Sequence, residues 1–239
     1  MGLASSDWVS FEARRSHAMV GTTIRTDAGG LRLPPEMKEE VTILLFVEEG
    51  TASSKELLQA AHSIAALSPK IVVKVEDADR GRNERLKSMH IKDWPCLVLM
   101  KDGFARIRYY GAPVGYETQA LVDAVVELSN SSPHLSSRAK ESLSKVRRKA
   151  NIKVFVLTTC PFCPTVARHA YRAAIGSTNV STDVIDSSAF KELAARHSVM
   201  GVPKMILNDA MDITGAVDEV AFFEKLHEAD VATLGSMFG

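Results

Sequence analysis

The chain has 239 residues, of which 46% are hydrophobic, so it is long enough for two globular units with sizeable cores. Its 29 basic residues balance its 29 acidic ones, which argues against nucleic acid or an anionic membrane as a partner, since either would require a basic excess. The apolar runs are only strand-sized and charges interrupt the first residues, so the sequence predicts no membrane span and no secretory signal, and we expect a cytoplasmic protein.

The first half of the chain alternates predicted strands and helices. An amphipathic helix over Asp7–Val20 and a loop over Thr22–Pro35 precede it. The predicted order is then β-α-β-α-β-β-α, with the elements Val41–Val47, Ser53–Leu67, Ile71–Val75, Arg82–His90, Cys96–Met100, Ala105–Tyr110 and Tyr116–Leu128. The last two strands flank Asp102-Gly103, a dipeptide typical of two-residue hairpin turns.

The second half repeats this order after a polar break at Asn130–Pro133 and a charged connecting helix predicted over Ser136–Lys149. Its predicted elements are Ile152–Leu157, Pro164–Ile175, Val180–Ile185, Ser188–Arg196, Lys204–Asn208, Met211–Thr214 and Asp218–His227. The order of types matches the first half, so the sequence contains an internal repeat.

Aligning the two halves shows what each has kept. When Phe46 is placed on Phe155, Thr51–Ser54 falls on Cys160–Cys163. A one-residue deletion then places Trp94-Pro95 on Val202-Pro203. The first half therefore keeps the proline but has neither sulfur, and it cannot exchange disulfides at that loop.

The motif Cys160-Pro161-Phe162-Cys163 lies between a predicted buried strand and a predicted helix. A helix N-terminus stabilises negative charge, so Cys160, expected at the start of the helix, is predicted to be the attacking thiolate. Cys163 follows about one turn later, close enough to form a disulfide with Cys160. Pro161 suits the first helical position, where no backbone donor is needed. The motif therefore predicts reversible dithiol–disulfide chemistry.

Two other uses of a paired cysteine are less favoured. A zinc site would need a second pair of ligands, and Cys96 is the only other cysteine, so we expect no metal. A purely structural disulfide across so short a loop would remove little entropy from the unfolded chain.

Together these motifs resemble the thioredoxin fold, and two such units in tandem resemble the archaeal and bacterial protein disulfide oxidoreductases, also called glutaredoxin-like proteins. The resemblance is most specific at Thr159–Pro164, Val199–Lys204 and Arg108–Glu117. It implies an α/β fold of two thioredoxin-like domains, each with a mixed four-stranded sheet flanked by helices. The implied organisation is an N-terminal helix and loop (1–37), a domain without CxxC (38–130), a connector helix (131–150) and the redox-active domain (151–239).

The resemblance also implies how the site is built. Pro203 should be cis and lie beside Cys160, where the neighbouring backbone binds a substrate strand, and Pro95 should be cis by the repeat. The predicted catalytic residues are thus Cys160 and Cys163, and the predicted substrate-binding residues are Pro161, Phe162, Val202 and Pro203. No bound cofactor is expected, and electrons would come indirectly from NADPH through a thioredoxin-reductase-like flavoprotein.

The chain departs from fuller family members, which carry a CxxC in each half. This difference makes it similar to the N-terminal module of the flavoprotein that reduces alkyl-hydroperoxide peroxiredoxins. Three functions are therefore carried forward: an oxidoreductase acting on protein disulfides, a dedicated carrier from a flavoprotein reductase to a peroxiredoxin, and a peptide-binding module with incidental redox activity.

Five further residues have predicted roles. We expect Cys96 to be a buried core residue, with a third redox sulfur as the alternative. His169 and His197 are expected to be solvated or at helix ends rather than catalytic. The proton acceptor for Cys163 is left open between Asp183, Asp186 and water.

Overall fold

The computed structural model describes residues 37–79 and 83–235, and side chains as far as Val231. The predicted helix Asp7–Val20 and loop Thr22–Pro35 lie outside these residues. Eight strands and seven helices are described. The strands are β1 Val41–Val47, β2 Ile71–Asp77, β3 Cys96–Lys101, β4 Phe104–Tyr110, β5 Ala150–Val156, β6 Val180–Asp186, β7 Lys204–Leu207 and β8 Met211–Thr214. The helices are α1 Ala52–Ala65, α2 Glu84–Ser88, α3 Glu117–Ser129, α4 Ser137–Ser144, α5 Cys163–Gly176, α6 Lys191–Arg196 and α7 Glu219–Gly235.

Local sequence explains several boundaries. The side chains of Thr51, Asn83 and Ser136 accept hydrogen bonds from the first turns of α1, α2 and α4, as expected of helix caps. The turn between β3 and β4 has positive φ at both Asp102 and Gly103, as a type I′ hairpin requires. The predicted hairpin is therefore confirmed.

The connector helix is shorter than predicted, because α4 ends at Ser144 rather than Lys149. Beyond Ser144, backbone groups form hydrogen bonds with residues that are distant in sequence. The amide of Asn179 donates to the carbonyls of Val146 and Arg147, and the Arg147 N–H donates to the carboxylate of Asp230 at 3.2 Å. Those backbone groups are then not available for helical bonds.

All eight strands form one sheet in the order β2-β1-β3-β4-β6-β5-β7-β8. Each half contributes four strands, and the halves are joined by parallel pairing of β4 with β6. The internal repeat is visible in the register, since Phe46 of β1 is paired with Cys96 of β3, and Phe155 of β5 with Lys204 of β7. The predicted α/β class with a mixed set of four strands in each half is confirmed, although the two sets join into one sheet; the domain boundaries stay predictions.

The core lies on both faces of this sheet. One face carries the larger cluster, formed with α1, α3, α4, α5 and α7, and it runs without a break through both halves. The other face is covered by the short helices α2 and α6. Across the junction α3 lies against α5, where Arg168 forms an ion pair with Asp123 at 2.7 Å and Arg172 with Glu127 at 2.8 Å. In the described part of the chain, no helix is long and apolar enough to cross a bilayer.

Candidate active site

The two cysteines of the CxxC motif follow the end of β5. Both are free thiols; Cys160 is half-buried and Cys163 is fully buried. The Cys160 N–H donates to the carbonyl of Leu157 at 2.9 Å, which folds the loop back on the strand. The sulfur that partners can reach is therefore that of Cys160.

The helix starts within one residue of its predicted limit, Pro164, but Cys160 and Pro161 lie outside it, contrary to prediction. Helix α5 begins at Cys163, so Cys160 lies in the turn before it and Pro164, not Pro161, occupies the first helical turn. A helix beginning at Cys160 would need an N–H at residue 164 to bond the Cys160 carbonyl, and proline has none. The predicted position of Pro161 in the helix is thus wrong, and its side chain is exposed in the turn.

Burial raises the pKa of the Cys163 thiol well above its ordinary value. A hydrogen bond with Cys160 raises it further, a backbone hydrogen bond at Leu157 lowers it, and the charges of Cys160 and Glu117 raise it. Cys163 is therefore held as a thiol, and it needs a proton acceptor before it can attack.

Glu117, a residue that our sequence prediction missed, is a candidate for this role. It is the first residue of α3, in the first half, and it is fully buried. Neither of its carboxylate oxygens has a hydrogen-bond partner among the described residues. Burial raises the pKa of its carboxyl to about 8, Arg168 lowers it and Asp186 raises it. Such a group takes up and releases protons near neutral pH.

The two acceptors considered from the sequence are already engaged. Asp183 is in an ion pair with Arg108 and accepts a hydrogen bond from the Asn151 amide. Asp186 accepts hydrogen bonds from the backbone and the hydroxyl of Ser188. Both oxygens of Asp183 and Oδ1 of Asp186 are therefore hydrogen-bonded, unlike the oxygens of Glu117.

A loop of the first half carries Glu117 into the second half's site. The N–H of Tyr116 donates to the carbonyl of Thr158 at 3.0 Å, two residues before Cys160. Gly115 has φ +60°, and a Cβ there would lie 2.5 Å from the same Thr158 oxygen. This close approach requires glycine.

The prolines implied by the resemblance are as expected. The Val202–Pro203 and Trp94–Pro95 peptide bonds are both cis. The antiparallel pairing of β5 with β7 continues toward Val202 opposite Leu157, so the Val202–Pro203 peptide lies beside the loop that carries Cys160.

Exposed apolar side chains lie in the CxxC loop and in the segment before Pro203. A groove of about 540 Å³ lined by Leu157, Met200 and Val202 runs along this edge. Phe162 is 65% exposed and Met200 is 96% exposed. Exposed apolar groups of this size beside a reactive group are typical of a docking surface.

The equivalent site in the first half has hydroxyls in place of thiols. The Thr51 hydroxyl donates to that of Ser54 at 2.7 Å. Cys96, beside the cis proline, is fully buried, and burial raises the pKa of its thiol far above the ordinary value. The expected core position of Cys96 is confirmed.

Neither histidine lies at the cysteines. His197 caps the C-terminus of α6 and its ring lies 5.3 Å from that of Phe155, so its expected helix-end position is confirmed. His169 is buried against Phe222 with a ring distance of 5.5 Å, so the expectation of a solvated or helix-end residue was wrong for it. The signal available in the sequence was its position on the apolar side of α5.

Comparison with known proteins shows similarity to thioredoxin-fold proteins. Residues 150–228 match the thioredoxin domain family model. The chain is 22% identical over 226 residues to the alkyl hydroperoxide reductase component AhpF of Staphylococcus aureus, covering 85% of this chain and 42% of the relative. It is 25% identical over 171 residues to a Bacillus subtilis NADH dehydrogenase, covering 71% of this chain and 31% of the relative. The chain thus spans less than half the length of these curated relatives.

Two solved structures are similar over most of the chain. The alkylhydroperoxide reductase component AhpF of Enterococcus faecalis superposes with a TM-score of 0.73 at 28% identity, covering 80% of this chain and 91% of that one. A protein disulfide oxidoreductase from Aeropyrum pernix K1 superposes with a TM-score of 0.73 at 19% identity, covering 97% and 96%. The second likeness concerns the fold alone.

Proposed function

We propose that this chain, which belongs to the thioredoxin-fold oxidoreductases, transfers two electrons between the Cys160/Cys163 dithiol and disulfides of other proteins. The observation that carries the proposal is one reachable thiol and one buried thiol after the end of β5, together with the buried Glu117 carboxyl, which acts electrostatically on the buried thiol. Each of these groups has a place in a two-step exchange.

In the first step the Cys160 thiolate attacks one sulfur of the substrate disulfide. A Cys160–substrate disulfide forms, the substrate's own S–S bond breaks, and one substrate sulfur leaves as a thiolate. Phe162, Pro161 and the Val202–Pro203 segment form the surface against which the substrate chain lies. Cys163 takes no part in this step because it is buried.

In the second step Cys163 transfers its proton to Glu117 and attacks the Cys160 sulfur. The Cys160–Cys163 disulfide forms, the mixed disulfide breaks, and the second substrate sulfur leaves. The substrate is reduced by two electrons and the protein is oxidised by two. Reversal of both steps would donate a disulfide.

The dithiol must then be restored by a reductant. We propose a thioredoxin-reductase-like flavoprotein that passes electrons from NADPH, while this chain itself binds no cofactor. The similarity to the alkyl hydroperoxide reductase component over 85% of this chain supports this route. The cytoplasm stays the predicted compartment, where the protein would contribute to cell redox homeostasis.

The same similarity favours a second candidate, a carrier dedicated to a peroxiredoxin. A peroxide-coupled assay with a flavoprotein reductase and a peroxiredoxin distinguishes it from a general reductant. A dedicated carrier would support peroxide turnover at low concentration and reduce insulin poorly.

The test of the proposed function is reduction of insulin by dithiothreitol. We expect the wild-type protein to accelerate the reaction and Cys160→Ser to abolish the acceleration. Cys163→Ser should accumulate a mixed disulfide with the substrate, visible by mass spectrometry. Acceleration that survives Cys160→Ser would contradict the proposal and favour a peptide-binding module.

A further inference from the structure

Two buried tyrosines that the two steps above do not use belong to the same core cluster as Cys163. Tyr109 of β4 and Tyr171 of α5 are 0% and 1% exposed, and their hydroxyls lack hydrogen-bond partners among the described residues. The two oxygens of Glu117 share that property. Four buried polar oxygens from three side chains therefore have no hydrogen-bond partner among the described residues.

Glu117 acts electrostatically on both phenols. Burial raises the pKa of both phenols well above the ordinary value, and the charge of Glu117 is the next largest cause for each. Tyr171 and Cys163 also act on Tyr109. Both phenols keep their protons at neutral pH, so they act toward the carboxylate as hydrogen-bond donors.

Leaving such oxygens unpaired is costly. A buried polar group without a partner costs about 1–3 kcal/mol, and buried polar groups in proteins are almost always bonded to protein or to ordered water. No two of the four oxygens form a direct hydrogen bond. Polar groups separated by more than a hydrogen-bond distance are commonly joined by a water with two to four partners.

We propose that Tyr109 and Tyr171 are positioning residues that bind the Glu117 carboxylate through buried water and orient it toward the thiol of Cys163. The inference rests on the proposed role of Glu117 as proton acceptor. Donation to the charged form of a carboxyl group favours that form, so the phenols would keep Glu117 competent as a base. The other charged groups acting on it are Arg168 of α5, which favours the same form, and Asp186 of β6, which opposes it.

The second step can be followed on its own in the intact chain. Reduced protein mixed with excess 5,5′-dithiobis(2-nitrobenzoate) in a stopped-flow instrument releases one aromatic thiolate when Cys160 attacks the reagent. A second thiolate leaves when Cys163 attacks the resulting mixed disulfide. The rate of the second phase as a function of pH reports deprotonation of Cys163.

We expect Tyr171→Phe or Tyr109→Phe to move the midpoint of the second-phase profile upward by about one pH unit, because each removes a donor to the carboxylate. The first phase should be unchanged. Tyr110→Phe is the matched control, since Tyr110 adjoins Tyr109 in β4 but is buried on the opposite face of the sheet. It should leave both phases unchanged.

The Glu117→Gln background separates this inference from the proposed function. There, the tyrosine substitutions should produce no further shift. If Glu117→Gln slows the second phase but both tyrosine variants match the wild type, the inference about the phenols is overturned and the acceptor stands. A shift that persists in the Glu117→Gln background also overturns it. If Glu117→Gln itself has no effect, the acceptor assignment fails, and with it the premise of the inference.

Discussion

The carboxylate of Glu117, at the first residue of α3, acts electrostatically on the thiol of Cys163, at the first residue of α5, although the two lie in different halves of the chain. Two features bring them together: the parallel pairing of β4 with β6 and the approach of Gly115 to Thr158. In the proposed mechanism, the half that lacks the CxxC motif therefore supplies the base for the half that carries it.

Glu117→Gln should slow attack by Cys163 by about 100-fold, the usual contribution of a positioned general base. In the wild type the rate should rise through about pH 8 as this carboxyl ionises, and the variant should lose that rise. The measurement is the second phase of aromatic thiolate release. Asp186→Asn is the matched comparison, and a larger loss there would assign the base to Asp186.

The same substitution should change how stability depends on pH. The Glu117 carboxyl keeps its proton in the folded state up to about pH 8, whereas an ordinary one loses it near 4.5. Between these two pH values the folded state binds one more proton than the unfolded state. The free energy of unfolding of the wild type relative to Glu117→Gln is therefore highest below about pH 4.5 and decreases as the pH rises toward 8. The loss should be about 4 kcal/mol. Urea unfolding of both reduced proteins at pH 5 and pH 8 measures it, and a constant difference would contradict the prediction.

Gly115→Ala should lower the free energy of unfolding by about 3 kcal/mol or more. Part is the strain of a positive φ, about 1–2 kcal/mol, and the rest is the contact of the new Cβ with the Thr158 carbonyl. Gly103→Ala is the control, because Gly103 also has a positive φ, yet nothing lies within 4 Å of its Cβ position. If urea unfolding shows the same loss of unfolding free energy in both variants, the contact with Thr158 does not contribute to the loss.

Arg108→Met should destabilise the protein by about 3–5 kcal/mol, because it leaves the buried carboxylate of Asp183 without its ion-pair partner at the seam between the halves. Adding Asp183→Asn should recover part of the loss. Lys145→Met, which breaks an exposed pair with Glu141, should cost less than about 1 kcal/mol. If Arg108→Met lowers the free energy of unfolding by no more than Lys145→Met does, the buried pair does not contribute to stability as predicted.

Cys96 should be inert in the native protein. Because its thiol is fully buried and burial raises its pKa, iodoacetamide should leave it unmodified while Cys160 reacts. Peptide mapping after labelling, with and without concentrated guanidinium, measures how much Cys96 is modified in the unfolded and in the native protein. Rapid native labelling of Cys96 would indicate a third reactive sulfur in the first half.

Much of the fold could be predicted because its signals are local. β1 was predicted with its observed limits, since Val41–Val47 is a continuous apolar run rich in β-branched residues. The hairpin followed from Asp102-Gly103, and the repeat from paired motifs. Joining of the two sheets could not be predicted, because pairing of β4 with β6 depends on residues far apart in sequence.

The site was predictable only in its sulfur chemistry. A glutamate in a first helical turn is ordinarily an exposed partner of the helix dipole, so nothing local distinguishes Glu117 from other such residues. Its burial arises from contact between the halves. The predicted helix start at Pro164 was within one residue of the observed Cys163, but Cys160 and Pro161 were wrongly assigned to its first turn, because proline at either 161 or 164 fits an early helical position.

The seam between β4 and β6 joins unlike edges of two repeated units, so in principle the same contact could add unit after unit without closing. In the described sheet the outer strands are β2, equivalent to β6, and β8, equivalent to β4. Yet β8 has only four residues where β4 has seven, and β2 bears charges at Lys74, Glu76 and Asp77. Short and charged margins of this kind resist further strand addition, which protects the protein from growing into filaments.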